Sequence, residues 1–161
     1  MKPIFQGKHL NVFTRDDWEY AERKSARDAV AVIAFTENDE LILVEQHRKP
    51  VDANVIDLPA GLIGDDGDMD PRSTAKRELE EETGYTCESV ELLAKCATSP
   101  GITSEQVVLT RASGVRKIGE GEDAITVHLV PRANVVTWLR EQQSVIDLKI
   151  WAALYFVTQS T

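Results

Sequence analysis

Four glutamates fall within five positions of the stretch Ala75-Lys-Arg-Glu-Leu-Glu-Glu-Glu-Thr-Gly-Tyr85: Glu78, Glu80, Glu81 and Glu82. Like charges at helical neighbour spacing repel by about 0.2–0.5 kcal/mol per pair, so such crowding calls for a compensating charge. At about 100° per residue, Glu78, Glu81 and Glu82 share one arc of a helix, while Glu80 points the opposite way, into solvent. Three carboxylates on one face suit hard, oxygen-preferring cations, magnesium or manganese rather than zinc. The same array also reads as an ordinary charged outer face paired with Lys76 and Arg77, and spacing alone leaves both readings open. His9, His47 and His128 show no ligand-like clustering. Cys87 and Cys96 lack a CxxC spacing and read as reduced structural thiols.

A helix must carry these glutamates, and its bounds are written locally. Asp70 is a capping residue, Pro71 suits the first helical position and Gly84 the C-terminal stop, which predicts a helix over 71–83. Leu79 and Ala75, four apart, form the stripe that anchors it. Upstream, Leu10–Thr14 and Trp18–Arg23 read as strands around a turn at Thr14-Arg-Asp-Asp17. The continuous apolar run Ala29–Phe35, the polar turn Thr36–Glu40 and the run Leu41–Glu45 read as a hairpin over 29–45. Residues 50–72, rich in proline and glycine, read as loop. Further strands are expected near 90–98, 106–112 and 124–130, and helices over 132–141 and 147–158, with Ile146, Ile150, Ala153, Leu154 and Val157 at core-packing spacing. Trp138 and Trp151 read as helix-packing residues. Strands on both sides of a central helix, closed by a C-terminal helix, predict an α/β chain: a mixed sheet sandwiched by helices.

Arg77-Glu-Leu-Glu-Glu-Glu-Thr-Gly-Tyr85 resembles the core of the Nudix box, REUxEExGU, where U is aliphatic or aromatic, and matches every fixed position of that half. The preceding half departs from the pattern. Met69 stands where the box glutamate belongs and Ile63 at the glycine position, while Gly61 lies two residues early. A short insertion in Gly64-Asp-Asp-Gly-Asp68 accounts for the shift, and Asp68 or Asp70 is then the expected partner of Arg77. Leu58-Pro-Ala-Gly61 looks like the family loop that offers a backbone carbonyl, here that of Ala60, to a metal. Ser99-Pro-Gly-Ile-Thr-Ser-Glu105, with Pro100 fifteen residues past Tyr85, is similar to the ADP-ribose pyrophosphatase branch; as a bare sequence it is also a strand-ending turn. Gly119-Glu-Gly-Glu-Asp123 resembles the mobile catalytic loop, or else is a solvated acidic turn.

The resemblance runs from about Trp18 to Tyr155. It implies the Nudix fold, an α/β/α sandwich around a mixed β-sheet, with a short N-terminal β-hairpin extension over 1–28 and the hydrolase domain over 29–161. It implies magnesium, with manganese as substitute, held by Glu78, Glu81, Glu82, the Ala60 carbonyl and Glu122. Glu120 is the expected general base, with Glu122 able to exchange roles with it; Arg77 and Glu81 complete the catalytic set. Arg48 resembles a family arginine that meets the phosphates, and its planar fork suits bidentate contact; a surface arginine is the alternative. Arg23 and Arg27 are weaker candidates for the same work. Trp18 offers an aromatic face to a nucleobase or buries against the sheet, and Glu105 contacts the terminal sugar or a water, or lies at the surface.

The implied activity is magnesium-dependent hydrolysis of nucleoside diphosphate sugars, ADP-ribose foremost and GDP-mannose also, to a nucleoside monophosphate and a sugar phosphate. Hydrolysis of dinucleoside polyphosphates or capped RNA, and a non-catalytic nucleotide-sugar-binding module, are the alternatives. A net charge of −9 over 161 residues argues against a nucleic-acid binder, which carries a basic face. The stretch Met1–Leu10 has no signal-like apolar run and no segment is long and apolar enough to span a bilayer, so a cytoplasmic protein without membrane contact is expected. Relatives of this type form homodimers, which would bring residues 1–28 to the partner's nucleotide pocket.

Overall fold

The computed structural model describes residues 2–26 and 28–158, so the candidate Arg27 lies outside the described residues. The strands are β1 (Phe5–Gln6), β2 (Leu10–Arg15), β3 (Trp18–Arg23), β4 (Asp28–Ile33), β5 (Glu40–Arg48), β6 (Ala53–Asp57) and β7 (Ala60–Leu62), then α1 (Pro71–Thr83). They continue with β8 (Tyr85–Thr86), β9 (Ser89–Ala97), β10 (Gln106–Ser113), β11 (Arg116–Lys117) and β12 (Thr126–Pro131). A short 3-10 turn leads into α2 (Val135–Glu141), followed by β13 (Val145–Ile146) and α3 (Leu148–Thr158).

Strands β1, β2 and β3 form a sheet of their own, turned at Asp16 and Asp17, whose φ of 48° and 64° gives the paired left-handed geometry of a tight hairpin. Two four-stranded sheets make the body, in the orders β7-β4-β10-β9 and β12-β5-β6-β13. Both are mixed: β4 runs parallel to β10 and β6 parallel to β13, and their remaining ladders are antiparallel.

The 29–45 segment is therefore a hairpin only at its tip. Thr36 N–H bonds Glu40 O and Ile42 N–H bonds Ala34 O, and a single bridge joins Phe35 to Leu41. Beyond it the strands part, each taking two other partners, because each is apolar on both faces and needs a sheet of its own to bury them. Alternation along β4 serves two cores. Ala31 and Ile33 face a cluster with Leu43, Ile56, Leu109, Leu139, Ile150 and Val157, under α2 and α3. Val30, Val32 and Ala34 face the other, with Ala75 and Leu79 of α1. Helices thus cover both sides, and the α/β/α expectation holds. Trp138 packs against the first cluster, whereas Trp151 stays 38% exposed. The loop expected over 50–72 contains two short strands, β6 and β7, which composition had masked. Among the described residues, no helix is long and apolar enough to cross a membrane.

Candidate active site

α1 begins as its sequence dictates: Asp70 accepts the Arg72 N–H at 3.0 Å, and Pro71 fills the first turn. It ends at Gly84, left-handed at φ 71°. Ala75 and Leu79 are fully buried, which fixes the rotation of the helix and turns Glu78 and Glu82 towards the Ala60–Gly61 backbone. Glu82 Oε2 accepts the Ala60 N–H at 3.0 Å. A Cβ on Gly61 would lie 2.0 Å from the Glu78 carboxyl carbon, so only glycine lets the strand approach that side chain.

Both carboxylates are about 8% exposed. Burial pushes the Glu82 carboxyl up to about 7, against the pull of the Ala60 N–H and of Arg48, while Glu78 and Asp57 add repulsion. Burial raises Glu78 as well, offset by Arg77 and reinforced by Glu81, Asp65 and Glu122. Arg77 is the local counter-charge: its guanidinium reaches Glu78 at 2.8 Å, Asp65 at 2.9 Å, Glu81 at 3.0 Å and Asp66 at 3.2 Å. Asp68 and Asp70, expected as its partners, are occupied otherwise. Asp68 accepts from Ser73 and from the Asp70 N–H, and Asp70 caps α1. Glu80 is not free in solvent either, since it accepts the Thr86 hydroxyl. Met69, at the box-glutamate position, is 72% exposed.

The Gly119–Asp123 loop sits on the C-terminal end of α1. Ile118 and Gly119 donate to Gly84 O, and Glu122 N–H donates to Glu81 O at 3.0 Å. A Cβ on Gly121 would lie 2.3 Å from Glu82 O. The Glu120 side chain is 95% exposed, 3.6 Å from Lys117, whereas the charge of Glu122 is felt at Glu78.

A cleft of about 760 Å³ opens beside this face and is lined by Ala60, Gly61, Glu78, Arg23, Arg48 and Glu105. Arg23 and Glu105 form an ion pair across it. Trp18 and Pro100 instead line a separate depression of about 460 Å³, where the Trp18 indole N–H donates to Gly101 O at 3.0 Å. Trp18 is 61% exposed, so it does not bury against the sheet. Within one chain the expected substrate residues therefore divide between two clefts. Sequence reasoning missed Asp57 and Lys149, which line the larger one; the available signal was a lysine near the start of an apolar helix.

The donor set fits a hard divalent cation. Buried carboxylates that repel one another, one of them pushed up to about 7 by burial, are what a doubly charged ion would satisfy. Among the described residues, no three acidic, imidazole or thiol side chains already surround one point, and Arg77 engages Glu78 and Glu81 meanwhile.

Comparison with known proteins identifies the family and the fold. The chain is 51% identical over 120 residues to a methanol dehydrogenase activator of Bacillus methanolicus, covering 71% of this chain and 64% of that protein. It is 38% identical over 110 residues to an ADP-ribose pyrophosphatase of Bacillus subtilis, covering 65% and 58%. It is 37% identical over 147 residues to an ADP-sugar pyrophosphatase of Mus musculus, covering 80% and 66%. The chain thus spans about three-fifths of the length of these relatives. A solved structure, described as an ADP compounds hydrolase, superposes with a TM-score of 0.67 over 87% of this chain and 80% of that one at 19% identity, which shows a shared fold. Residues 25–148 match the model of the NUDIX domain, and the chain belongs to the Nudix family.

Proposed function

We propose that the chain is a Nudix pyrophosphohydrolase that cleaves the diphosphate of nucleoside diphosphate sugars, ADP-ribose foremost and GDP-mannose also, into a nucleoside monophosphate and a sugar phosphate. One observation carries the reading: Glu78 and Glu82 lie buried against Ala60–Gly61 at the wall of a cleft that also holds Arg23 and Arg48. The names of the pyrophosphatase relatives support the same substrate class.

A phosphoanhydride resists water because its oxygens repel an incoming nucleophile, so the site must neutralise charge and position the attack. Glu78, Glu81, Glu82, the Ala60 carbonyl and Glu122 would hold magnesium, or manganese in its place. The bound ions would neutralise the diphosphate and lower the pKa of water. Arg48 and Arg23 would clamp the phosphate oxygens, and Arg77 would hold Glu78 and Glu81 in place. The Glu122 N–H on Glu81 O sets Glu122 beside α1 and favours it as ligand, leaving the Glu120 carboxylate to accept the proton of the attacking water. Exposed Ile4, Phe5, Leu10 and Trp18 on the N-terminal sheet support a homodimer in which residues 1–28 reach the partner's pocket while 29–161 form the catalytic domain. Free Cys87 and Cys96 fit a cytoplasmic setting.

The test is release of nucleoside monophosphate, with magnesium, from ADP-ribose, GDP-mannose, a nicotinamide dinucleotide, a dinucleoside polyphosphate and capped RNA, with Glu82→Gln as control. Cleavage of a sugar nucleotide that the control lacks supports the proposal. Cleavage confined to the polyphosphate or capped RNA overturns the substrate class, and binding of ADP-ribose without cleavage would make this a binding module. A second reading follows from the methanol dehydrogenase activator relative: the same hydrolytic site would regulate a partner enzyme. A change in an alcohol dehydrogenase's rate on adding wild type, but not Glu82→Gln, would support it.

A further inference from the structure

Beyond the carboxylate face, a partly buried ion cluster borders the same cleft. Lys149, the second residue of α3, extends Nζ to Asp57 Oδ2 and to Asp147 Oδ2, each at 2.8 Å. Asp57 ends β6 and is 3% exposed, and its other oxygen, Oδ1, accepts the Leu58 N–H at 2.8 Å. Asp147 Oδ1 accepts the Lys149 N–H at 2.8 Å, and its own N–H donates to Ile56 O at 2.9 Å. These bonds tie the start of α3 to the end of β6. The chain leaving Asp57 is Leu58-Pro-Ala-Gly61, whose Pro59 O accepts the Val32 N–H at 2.9 Å and whose Ala60 N–H is held by Glu82.

Burying an ammonium between two carboxylates is a poor route to stability, since apolar side chains of similar volume usually serve packing as well. What Lys149 adds is direction. By engaging one oxygen of Asp57 it keeps the other on the Leu58 amide, and so fixes where the next three residues run. We propose that Lys149 is a positioning residue for the metal centre, holding Asp57 so that Leu58–Gly61 presents Ala60 beside Glu82. The proposal rests on the reading of Glu78 and Glu82 as metal-bearing. Residues that orient a metal's ligands without touching the metal are typically worth about 10–100-fold in affinity. Electrostatics alone gives the opposite sign: deleting a cation from an acidic site would strengthen its hold on a divalent ion. The direction of the effect therefore separates the two.

The experiment is a manganese titration of the folded protein followed by electron paramagnetic resonance, with circular dichroism as the check on folding. Lys149→Met should bind manganese about 10-fold more weakly than wild type. The Asp57→Asn/Lys149→Met double variant, which also lacks the clamp, should stay within about threefold of the single variant, and recovery to wild-type affinity would assign the loss to an unpaired carboxylate and overturn the positioning role. Half-saturating magnesium for hydrolysis should follow the same order, while kcat at saturating metal stays within about threefold of wild type. If Lys149→Met does not fold, Lys149→Gln carries the same comparison. A single variant that binds manganese as tightly as wild type, or more tightly, overturns the positioning role and leaves the metal reading intact. A wild type that binds no manganese overturns the metal reading and the positioning role with it.

Discussion

Glu82→Gln should stabilise the metal-free protein. Above pH 8 the wild type carries a charge at a site 8% exposed, where burial moves the carboxyl from an ordinary 4.5 to about 7. That displacement corresponds to about 3 kcal/mol of penalty on the ionised folded state, and the pull of the Ala60 N–H on the charged form is already contained in it. The glutamine oxygen still accepts the Ala60 N–H. The net gain is about 3 kcal/mol, or a Tm increase of about 6–12 °C for a chain of this size. Because the folded-state pKa is raised, the stability contributed by the protonated wild-type group is full below about 4.5 and is lost as pH rises through about 7. The advantage of the variant should therefore be present at pH 8 and nearly gone at pH 5. Urea unfolding with a chelator at both values measures it. Magnesium should then stabilise the wild type at pH 8 and leave the variant unmoved. A variant no more stable than wild type at pH 8, or an advantage undiminished at pH 5, would refute the reasoning.

Three further substitutions probe the elements around the site. Gly61→Ala would drive a methyl group into the Glu78 carboxylate, so it should cost about 1–3 kcal/mol in chemical denaturation and blunt the Tm response to magnesium. Asp70→Ala removes the cap of α1 and should cost about 1 kcal/mol, read by the same unfolding assay, with kcat little changed. Arg48→Lys keeps the charge but loses the planar fork. It should raise KM for ADP-ribose about 10-fold in steady-state kinetics while Tm moves by less than about 2 °C.

The bounds of α1 were legible because helix ends are local chemistry: Asp70, Pro71 and Gly84 each act within one turn. The stripe of Ala75 and Leu79 was legible for the same reason, and with it the direction of Glu78 and Glu82. What escaped was non-local. Nothing in Ala29–Glu45 says that β4 and β5 separate after one bridge, because that depends on β10 and β6 arriving later in the chain. The partners of Arg77 turn on how an aspartate-rich insertion folds, and it offers Asp65 and Asp66 while spending Asp68 and Asp70 on the helix start. Trp18 stands apart from Arg48 because β3 joins the N-terminal sheet and β5 the body, a division of strands that no local pattern announces. Lys149 escaped because a single lysine near the start of an apolar helix carries no spacing to recognise.

The parting of β4 and β5 gives the molecule a mechanical property. The two strands form a V whose apex is the Phe35–Leu41 bridge, and the cleft lies towards its open end, lined by Ala29 on one arm and Arg48 on the other. From Leu41 to Arg48 the arm is about 23 Å long at about 3.3 Å per residue. A rotation of about 3° at the apex would then carry Arg48 by about 1 Å, comparable to the tolerance of a bidentate phosphate contact. The Leu58–Gly61 segment crosses from one arm to the other and acts as a tie-bar against that opening. Leverage of this kind makes the aperture sensitive to side chains at the far end of the sheets, so Phe35 and Leu41 belong to the tuning of the cleft although neither borders it.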